Sequence, residues 1–475
     1  MTVTAATPPA VERDPGAGST HVVVIGGGVG GGVAALRSAQ LGARVTLIER
    51  QPVLGGTCVN WGCIPTKALL ASADLLRRVR RASEFGIDVD GEVRVNFARM
   101  MERKEEAVAA MRSGLTNACK RRQVRVVQGP ASVAGDAVLV GDERIAYDRL
   151  IVCVGTEPSG LPFVDMEHPR VLTSNDVLRL EHLPTSLLVI GGGVIGCEFA
   201  SFFAPLGTAI TVVEVLPQIL AGVEPRVVTQ FRRLQEKEGI TFLCGRRLAR
   251  VAAYREDGVT AELDDGTSLD VAAMLISVGR VPQTRGIGLE AAGVEVDGSG
   301  HIAVDGMLRT ANPRIYAAGD CIGGLQLAHL ATKEAERAAE NALGHHPREI
   351  DRTVVPSCIY THPNIAMVGL NTETAQAAGY RVRIGQARYL GNGKAWGEGE
   401  TEGLVQLFSD EDSNLILGAT IMGEHSVEII HEVAVAMSDG LCEAELADVI
   451  HAHPTVSELV MDAAQMGEKV APYLS

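Results

Sequence analysis

A chain of 475 residues, 46% hydrophobic and 21% charged, has material for roughly two to four folded domains and the composition of an ordinary globular protein. Its formal net charge of −15 argues against a nucleic acid or an anionic membrane surface as partner. Nine cysteines over this length are too sparse for a disulfide-framed secreted domain, and no pair has zinc-ligand spacing with a second pair to match, so no metal is expected.

Residues 1–19, MTVTAATPPAVERDPGAGS, lack the continuous apolar run of a signal peptide and are rich in Pro, Ala, Gly and Thr, so disorder is expected there. No window reaches the length of a membrane span. The expected compartment is the cytoplasm, where a disulfide that persists more often serves catalysis than structure.

Residues 21–25, HVVVI, have the continuous apolar pattern of a short buried strand. Gly26, Gly28 and Gly31 then spell G-x-G-x-x-G and open a helix that runs to about Leu41, after which a second strand in ARVTLIER reaches Glu49. In that strand–turn–helix–strand context the glycines are a dinucleotide fingerprint. The first permits the tight turn, the second lets the backbone approach a pyrophosphate on the helix N-terminus, and Glu49 accepts hydrogen bonds from a ribose.

Residues 55–67, GGTCVNWGCIPTK, place Cys58 and Cys63 in a stretch opened by Gly55 and Gly56 and followed at once by Pro65 and Lys67. The apolar periodicity of residues 68–79 predicts a helix. Two sulfurs at the mouth of a helix suit redox chemistry, because unpaired amides and the helix dipole favour a thiolate. Spacing alone leaves a structural disulfide, or two idle core cysteines, equally open. The other seven, Cys119, Cys153, Cys197, Cys244, Cys321, Cys358 and Cys442, are scattered through apolar segments and read as core.

Residues 92–127 are charged and predict a long helix followed by a strand. The dinucleotide unit then recurs. LLVI at 187–190 is a strand, Gly191, Gly193 and Gly196 form the turn, and AITVVE at 209–214 ends at Glu214, as far from Gly191 as Glu49 is from Gly26. LIVCVGT at 150–156 and MLISVGR at 274–280 are matching buried strands ending in Val-Gly. From about Arg352 the pattern changes to strands (IAMVGL, GLVQLFS, LILGATIMG) and a helix with a polar face (VEIIHEVAVAMSDG), closing with HAHPTVSELV at 451–460. On their own, His451 and His453 read as two surface histidines.

The thirteen residues of GGTCVNWGCIPTK resemble the redox-disulfide motif of the pyridine nucleotide-disulfide oxidoreductases, and within them that of the dihydrolipoyl dehydrogenases. The likeness runs from His21 to about Gly467. It implies an α/β fold with two Rossmann-like dinucleotide-binding domains and an α+β C-terminal dimerisation domain. FAD would occupy 20–155 with 282–350, NAD 156–281, and the dimerisation domain 351–475. The FAD site would use Gly26, Gly28, Gly31, Glu49, Gly56, Thr57, Gly155 and Asp320, the last in IYAAGD at 315–320 and directed to the ribityl chain. Residues 326–342 would form a helix under the isoalloxazine. The NAD site would use Gly191, Gly193, Gly196, Glu214 and Gly279. Glu214 would accept from the 2′-hydroxyl of NAD and repel the 2′-phosphate of NADP, and Val215, Leu216, Pro217 and Gln218 bring no cation before Arg226.

The resemblance also implies roles. Cys58 would be the interchange thiol and Cys63 the charge-transfer thiolate facing the flavin. His453, oriented by Glu458, would be the base, contributed by the partner subunit of a homodimer. Lys67, on the turn after Cys63, would lie near the flavin and pair with Glu198. The implied reaction is oxidation of protein-bound dihydrolipoamide to lipoamide with NAD⁺ as final acceptor. The partner would be a lipoyl domain or a small dithiol, with a 2-oxoacid dehydrogenase complex as a further candidate. The alternatives are a specialised relative acting on another dithiol, or a mercuric or glutathione-type reductase. Against the last two, Cys442 is the final cysteine and stands alone, and arginines for NADP are missing after Glu214. Three features depart from the family pattern: Trp61 between the cysteines, Gly32 after the first fingerprint, and the N-terminal extension.

Overall fold

The computed structural model describes residues 19–467, so the stretch expected to be disordered lies, but for Ser19, outside the described residues. Strand His21–Ile25 is apolar on both faces because both are covered. Val22 and Val24 share a buried cluster with Ala34 and Ala35 of helix Val29–Gln40 and with Ala335, Ala338 and Ala339 of helix Ala328–Ala342. Val23 faces the other way, toward Val133, Val138 and Ile145 of a small antiparallel sheet. Continuous runs of this kind mark parallel strands buried on both sides.

That strand is the centre of a five-stranded parallel sheet, ordered Ile315–Ala317, Arg149–Val152, His21–Ile25, Arg44–Glu49, Arg125–Gln128. A second parallel sheet repeats the plan as Val171–Leu172, Ala273–Ile276, Ser186–Ile190, Ala209–Glu214, Ile240–Cys244. In both, a three-stranded antiparallel sheet is inserted ahead of the crossover strand. It spans Ala131–Ala134, Ala137–Val140 and Glu143–Ala146 in one case, and Leu248–Arg255, Gly258–Leu263 and Ser268–Val271 in the other. A third five-stranded sheet, antiparallel, runs Ser357–Ile359, Ile365–Gly369, Ile416–Met422, Leu404–Asp410, Val382–Arg388, with helices Ser426–Ser438 and Glu458–Gly467 packed in the same core. The charged stretch read as helix then strand is helix Phe97–Arg121 and strand Arg125–Gln128.

The chain forms two compact units. One contains the chain through Asn60, Ala109–Glu157 and Val281–Ile350, and with them the first parallel sheet. The other contains Trp61–Val108, Pro158–Arg280 and the chain from Asp351. Residues 61–108 pack with the second of these units. Helix Cys63–Arg80 is the reason: Leu69, Leu70, Ala73 and Leu76 line one face and join Phe199, Phe202 and Phe203 in a single core. No helix among the described residues is long and apolar enough to cross a membrane.

Candidate active site

The first nucleotide turn is shaped by clashes that only glycine avoids. Gly26 has φ +100°, and a Cβ there would fall on the carbonyl oxygen of Cys153. A Cβ on Gly31 would strike the carbonyl of Gly26, so helix Val29–Gln40 can pack against the strand only without one. Glu49, at the end of the adjacent strand, accepts from the Gly27 amide at 2.6 Å and the Gln51 amide at 2.7 Å. Its carboxylate is therefore fixed at the mouth of the turn with lone pairs left for a ribose. The departure at Gly32 has a local cause: a Cβ would approach Leu115 Cδ1 of helix Phe97–Arg121 at 3.0 Å.

The second turn repeats this geometry. Gly191 has φ +105° and abuts the Ser277 carbonyl, and Gly196 abuts the Gly191 carbonyl. Glu214 accepts from the Gly192 amide at 2.7 Å and the Leu216 amide at 2.8 Å. Gly155 and Gly279 lie three residues past the ends of the two crossover strands, at φ +66° and +118°, with open space where a Cβ would stand. Asp320 follows strand Ile315–Ala317 and accepts from Thr156 Oγ1 at 2.9 Å, placing it within the first unit at the edge of the crossover. The donors, glycine cradles and carboxylates of both turns fit a bound dinucleotide.

The cysteine segment differs from the expectation. Cys58 lies on a short helix, Gly56–Trp61, and Cys63 is the first residue of helix Cys63–Arg80, with Gly62 at the break. The helix predicted over residues 68–79 begins at Cys63 because Pro65 fits its first turn, where no amide partner is needed. Lys67 is therefore on that helix rather than on a turn. Both cysteines are half-buried. Between them Asn60 is buried and fully engaged. Its amide nitrogen donates to the Leu54 carbonyl at 3.1 Å and the Gly56 carbonyl at 3.0 Å, and its oxygen accepts from Arg112 Nε at 2.9 Å. Neither Asn60 nor Arg112 was singled out by the sequence. The only local sign was a polar residue inside the cysteine pair. The segment also meets the first nucleotide turn, where the Gly55 amide donates to the Gly27 carbonyl at 2.8 Å and Gly56 approaches Gly28 too closely for any side chain on Gly56.

Lys67 and Glu198 meet as expected, with Nζ 2.8 Å from both carboxylate oxygens. Glu198 is buried and also accepts from the Tyr360 amide at 3.0 Å, while the Lys67 ammonium lies 4.5 Å from the Tyr360 ring centre. Tyr360, missed by the sequence reading, thus clamps the pair from two sides. Removing one partner of such a buried pair typically costs about 3–5 kcal/mol. Burial first, then neighbouring negative groups, pushes the Tyr360 hydroxyl up to about 12. Burial likewise pushes the nearby Cys358 thiol up to about 11, which suits a core residue rather than a nucleophile.

His453 and Glu458 also meet. Nδ1 lies 2.9 Å from Glu458 Oε1, and the Thr455 amide holds Oε2 at 2.8 Å. Burial works to raise the Glu458 carboxyl, but the Thr455 amide and His453 outweigh it and hold it below the ordinary glutamate value. A carboxylate on Nδ1 fixes the tautomer and leaves the Nε2 lone pair for a proton. The His453 side chain is 72% exposed. His451 contrasts with it and with the surface reading: it is 5% exposed, bonded through Nε2 to Glu432 at 2.5 Å and through Nδ1 to the Val449 carbonyl at 2.8 Å. Among the described residues no group of side chains could hold a metal ion.

Comparison with known proteins agrees with this geometry. Residues 20–335 match the pyridine nucleotide-disulphide oxidoreductase family and residues 355–464 match that family's dimerisation domain. The dihydrolipoyl dehydrogenase of Chlorobaculum tepidum is 38% identical over 463 residues, covering 95% of this chain and 98% of that protein. One from Bacillus subtilis is 37% identical over 461 residues, covering 93% and 97%. Among solved structures, LpdA from Mycobacterium tuberculosis superposes with a TM-score of 0.87 at 28% identity, covering 94% of this chain and 99% of that one. The HOCl-induced flavoprotein disulfide reductase RclA from Escherichia coli gives 0.85 at 28% identity, covering 94% and 99%.

Proposed function

Because the chain belongs to the pyridine nucleotide-disulphide oxidoreductase family, we propose that it is a dihydrolipoyl dehydrogenase, oxidising protein-bound dihydrolipoamide to lipoamide through Cys58 and Cys63. The enzyme is a flavoprotein oxidoreductase that uses FAD and NAD. We assign FAD to the turn at Gly26, Gly28 and Gly31 with Glu49, Gly56, Thr57, Gly155 and Asp320, and NAD to the turn at Gly191, Gly193 and Gly196 with Glu214 and Gly279. The flavin, when bound, supplies the relay that carries an electron pair between sulfur and nicotinamide.

The remaining chemistry belongs to side chains. A dihydrolipoyl thiol is mostly protonated near neutral pH. His453 Nε2 takes its proton, and the resulting imidazolium is stabilised by Glu458. The substrate sulfur attacks Cys58 Sγ, breaking the Cys58–Cys63 bond and leaving Cys63 as thiolate. The second substrate thiol then displaces Cys58 and closes the cyclic disulfide, its proton passing to the Cys58 sulfur, which leaves as a thiol. The substrate loses two electrons and two protons, and the cysteine pair holds the electrons for NAD⁺. Lys67 and Glu198 neutralise each other beside the helix that begins with Cys63, so the pair adds no net charge there.

The observation that carries this reading is the exposed His453 imidazole, fixed by Glu458 in a chain that also holds the cysteine pair. The dimerisation domain supports a homodimer, and we place His453 at the partner's cysteines. A cytoplasmic location and docking on a 2-oxoacid dehydrogenase complex complete the proposal. A second reading, a disulfide reductase for another thiol, is favoured by Trp61, which stands half-buried between the cysteines.

One steady-state comparison separates them: NAD⁺ reduction by dihydrolipoamide against NADPH-driven reduction of glutathione disulfide and of mercuric ion. The first should be fastest. His453→Gln should lower dihydrolipoamide oxidation by about 10²–10⁴-fold and spare electron transfer from NADH to an artificial acceptor. Equal loss of both activities would remove His453 from the mechanism.

A further inference from the structure

We propose that Asp264 and Asp265 form, with Glu214, a carboxylate screen against the 2′-phosphate of NADP by holding two arginines that would otherwise receive it. The inference rests on the second dinucleotide unit being the nicotinamide site. Along the chain no cation follows Glu214 before Arg226, but the fold brings two from just past the neighbouring strand. Glu214 pairs in register with Cys244, the last residue of strand Ile240–Cys244. The Leu216 amide donates to the Glu214 carboxylate at 2.8 Å, and the Leu216 carbonyl accepts from the Gly245 amide at 2.9 Å. The Arg246 amide donates to the Glu214 carbonyl at 3.1 Å. Arg246 and Arg247 therefore begin one hydrogen bond from the residue that meets the adenosine 2′ position.

Both guanidiniums are engaged elsewhere. Arg246 Nε lies 2.8 Å from Asp265 Oδ2, and Arg247 Nε lies 3.7 Å from Asp264 Oδ2. The carboxylates are set by a tight turn, in which Gly266 has φ +85° and the Thr267 amide donates to Asp265 Oδ1 at 3.0 Å. Residues 247 and 264 are also bonded through their backbones, with the Asp264 amide on the Arg247 carbonyl at 3.1 Å. The two arginines and two aspartates sum to zero charge, so a 2′-phosphate of about −1.5 to −2 meets only the negative Glu214. An unheld guanidinium fork would suit that phosphate well. The first unit lacks the device: the Glu49 carbonyl accepts from Gly129 at 2.9 Å, and Pro130 follows.

The test uses the full-length holoenzyme oxidising NADH or NADPH with an artificial acceptor, which needs no thiol substrate. In D264N/D265N the ratio of specificity constants, NADPH over NADH, should rise about two- to fivefold, the size of effect expected from freeing exposed ion pairs. Adding R246A/R247A should cancel the rise. Calorimetric binding of adenosine 2′,5′-bisphosphate should tighten in the first variant and relax in the second, a readout independent of turnover. An unchanged ratio in D264N/D265N, or a rise that persists without the arginines, overturns the screen. If Glu214→Ala leaves NADH affinity untouched, the nicotinamide assignment itself falls, and the screen with it.

Discussion

The two dinucleotide units share strand order, glycine geometry and a terminal glutamate that caps the turn, yet their surroundings differ at the middle glycine. In the first, Gly28 pairs with Gly55 and faces the Gly56 backbone, so the chain that leads to Cys58 closes over the turn. In the second, nothing stands within 4 Å of a Cβ built on Gly193. Glu49 is buried, whereas Glu214 is half-exposed. The local motif makes both competent for a dinucleotide. The segment after the second strand of each unit separates an enclosed site, suited to a cofactor that stays, from an open one, suited to a cosubstrate that leaves each turnover.

The strongest way to break this comparison is to mutate matching glycines. Gly56 has φ +54°, and a Cβ there would meet the Gly28 Cα at 2.6 Å, with only backbone on the other side. Gly56→Ala should therefore yield protein that has lost its yellow colour on purification and at least a hundredfold of activity with every acceptor. Gly193→Ala should keep its flavin and raise KM for NAD by about tenfold, the effect of one displaced phosphate contact. Comparable flavin loss in both variants would erase the distinction.

A smaller effect should come from the paired glutamates. Glu49→Ala should weaken flavin retention during dialysis without altering nicotinamide choice. Glu214→Ala with Val215→Arg should leave flavin content alone and shift the specificity constant toward NADP, by about tenfold for a change of charge at a half-exposed contact. Crossed results, with nicotinamide preference following Glu49, would mean the two nucleotides are assigned to the wrong turns.

The mildest test exchanges the crossover residues. Cys153 and Ser277 hold equivalent places, each beneath the first glycine of its turn. Ser277 Oγ donates to the Ile190 and Gly191 carbonyls at 3.0 and 2.9 Å. Cys153 is a buried thiol whose ionisation burial opposes strongly. Cys153→Ser should find the same kind of acceptors and cost less than about 1.5 kcal/mol by urea midpoint. A loss of several kcal/mol would show that the two turns are less alike than their backbones.

What the sequence made legible was local. Unbroken apolar runs announced the central strands, and glycine spacing with a distant glutamate announced both turns, because each signal is contained within one strand–helix–strand unit. The two inserted antiparallel sheets escaped notice; a strand such as Glu143–Ala146 buries one side chain of four, and Leu248–Arg255 one of eight, which leaves little pattern. The periodicity of residues 68–79 said that a helix has a buried face but not against what, so its place among Phe199, Phe202 and Phe203 was unreadable. Asn60 with Arg112, and Lys67 with Tyr360, are pairs made by the fold and absent from any local spacing. His451 and His453 look alike in HAHPT, and the partner that distinguishes the buried one, Glu432 on helix Ser426–Ser438, lies far along the chain.

The three bonds of Asn60 bear on how cheaply sulfur can change partners. One closes within the Cys58 helix on Gly56, one ties that helix to Leu54 in the segment before it, and the third anchors the amide to a cation on the long helix Phe97–Arg121. A bond swap between sulfurs displaces its atoms by ångströms, and a pliant loop would follow, storing part of each reaction's energy as slack. Splinted at its midpoint, this segment should hold still through such a swap, as the fixed jaw of a vice does, and leave the motion to side chains.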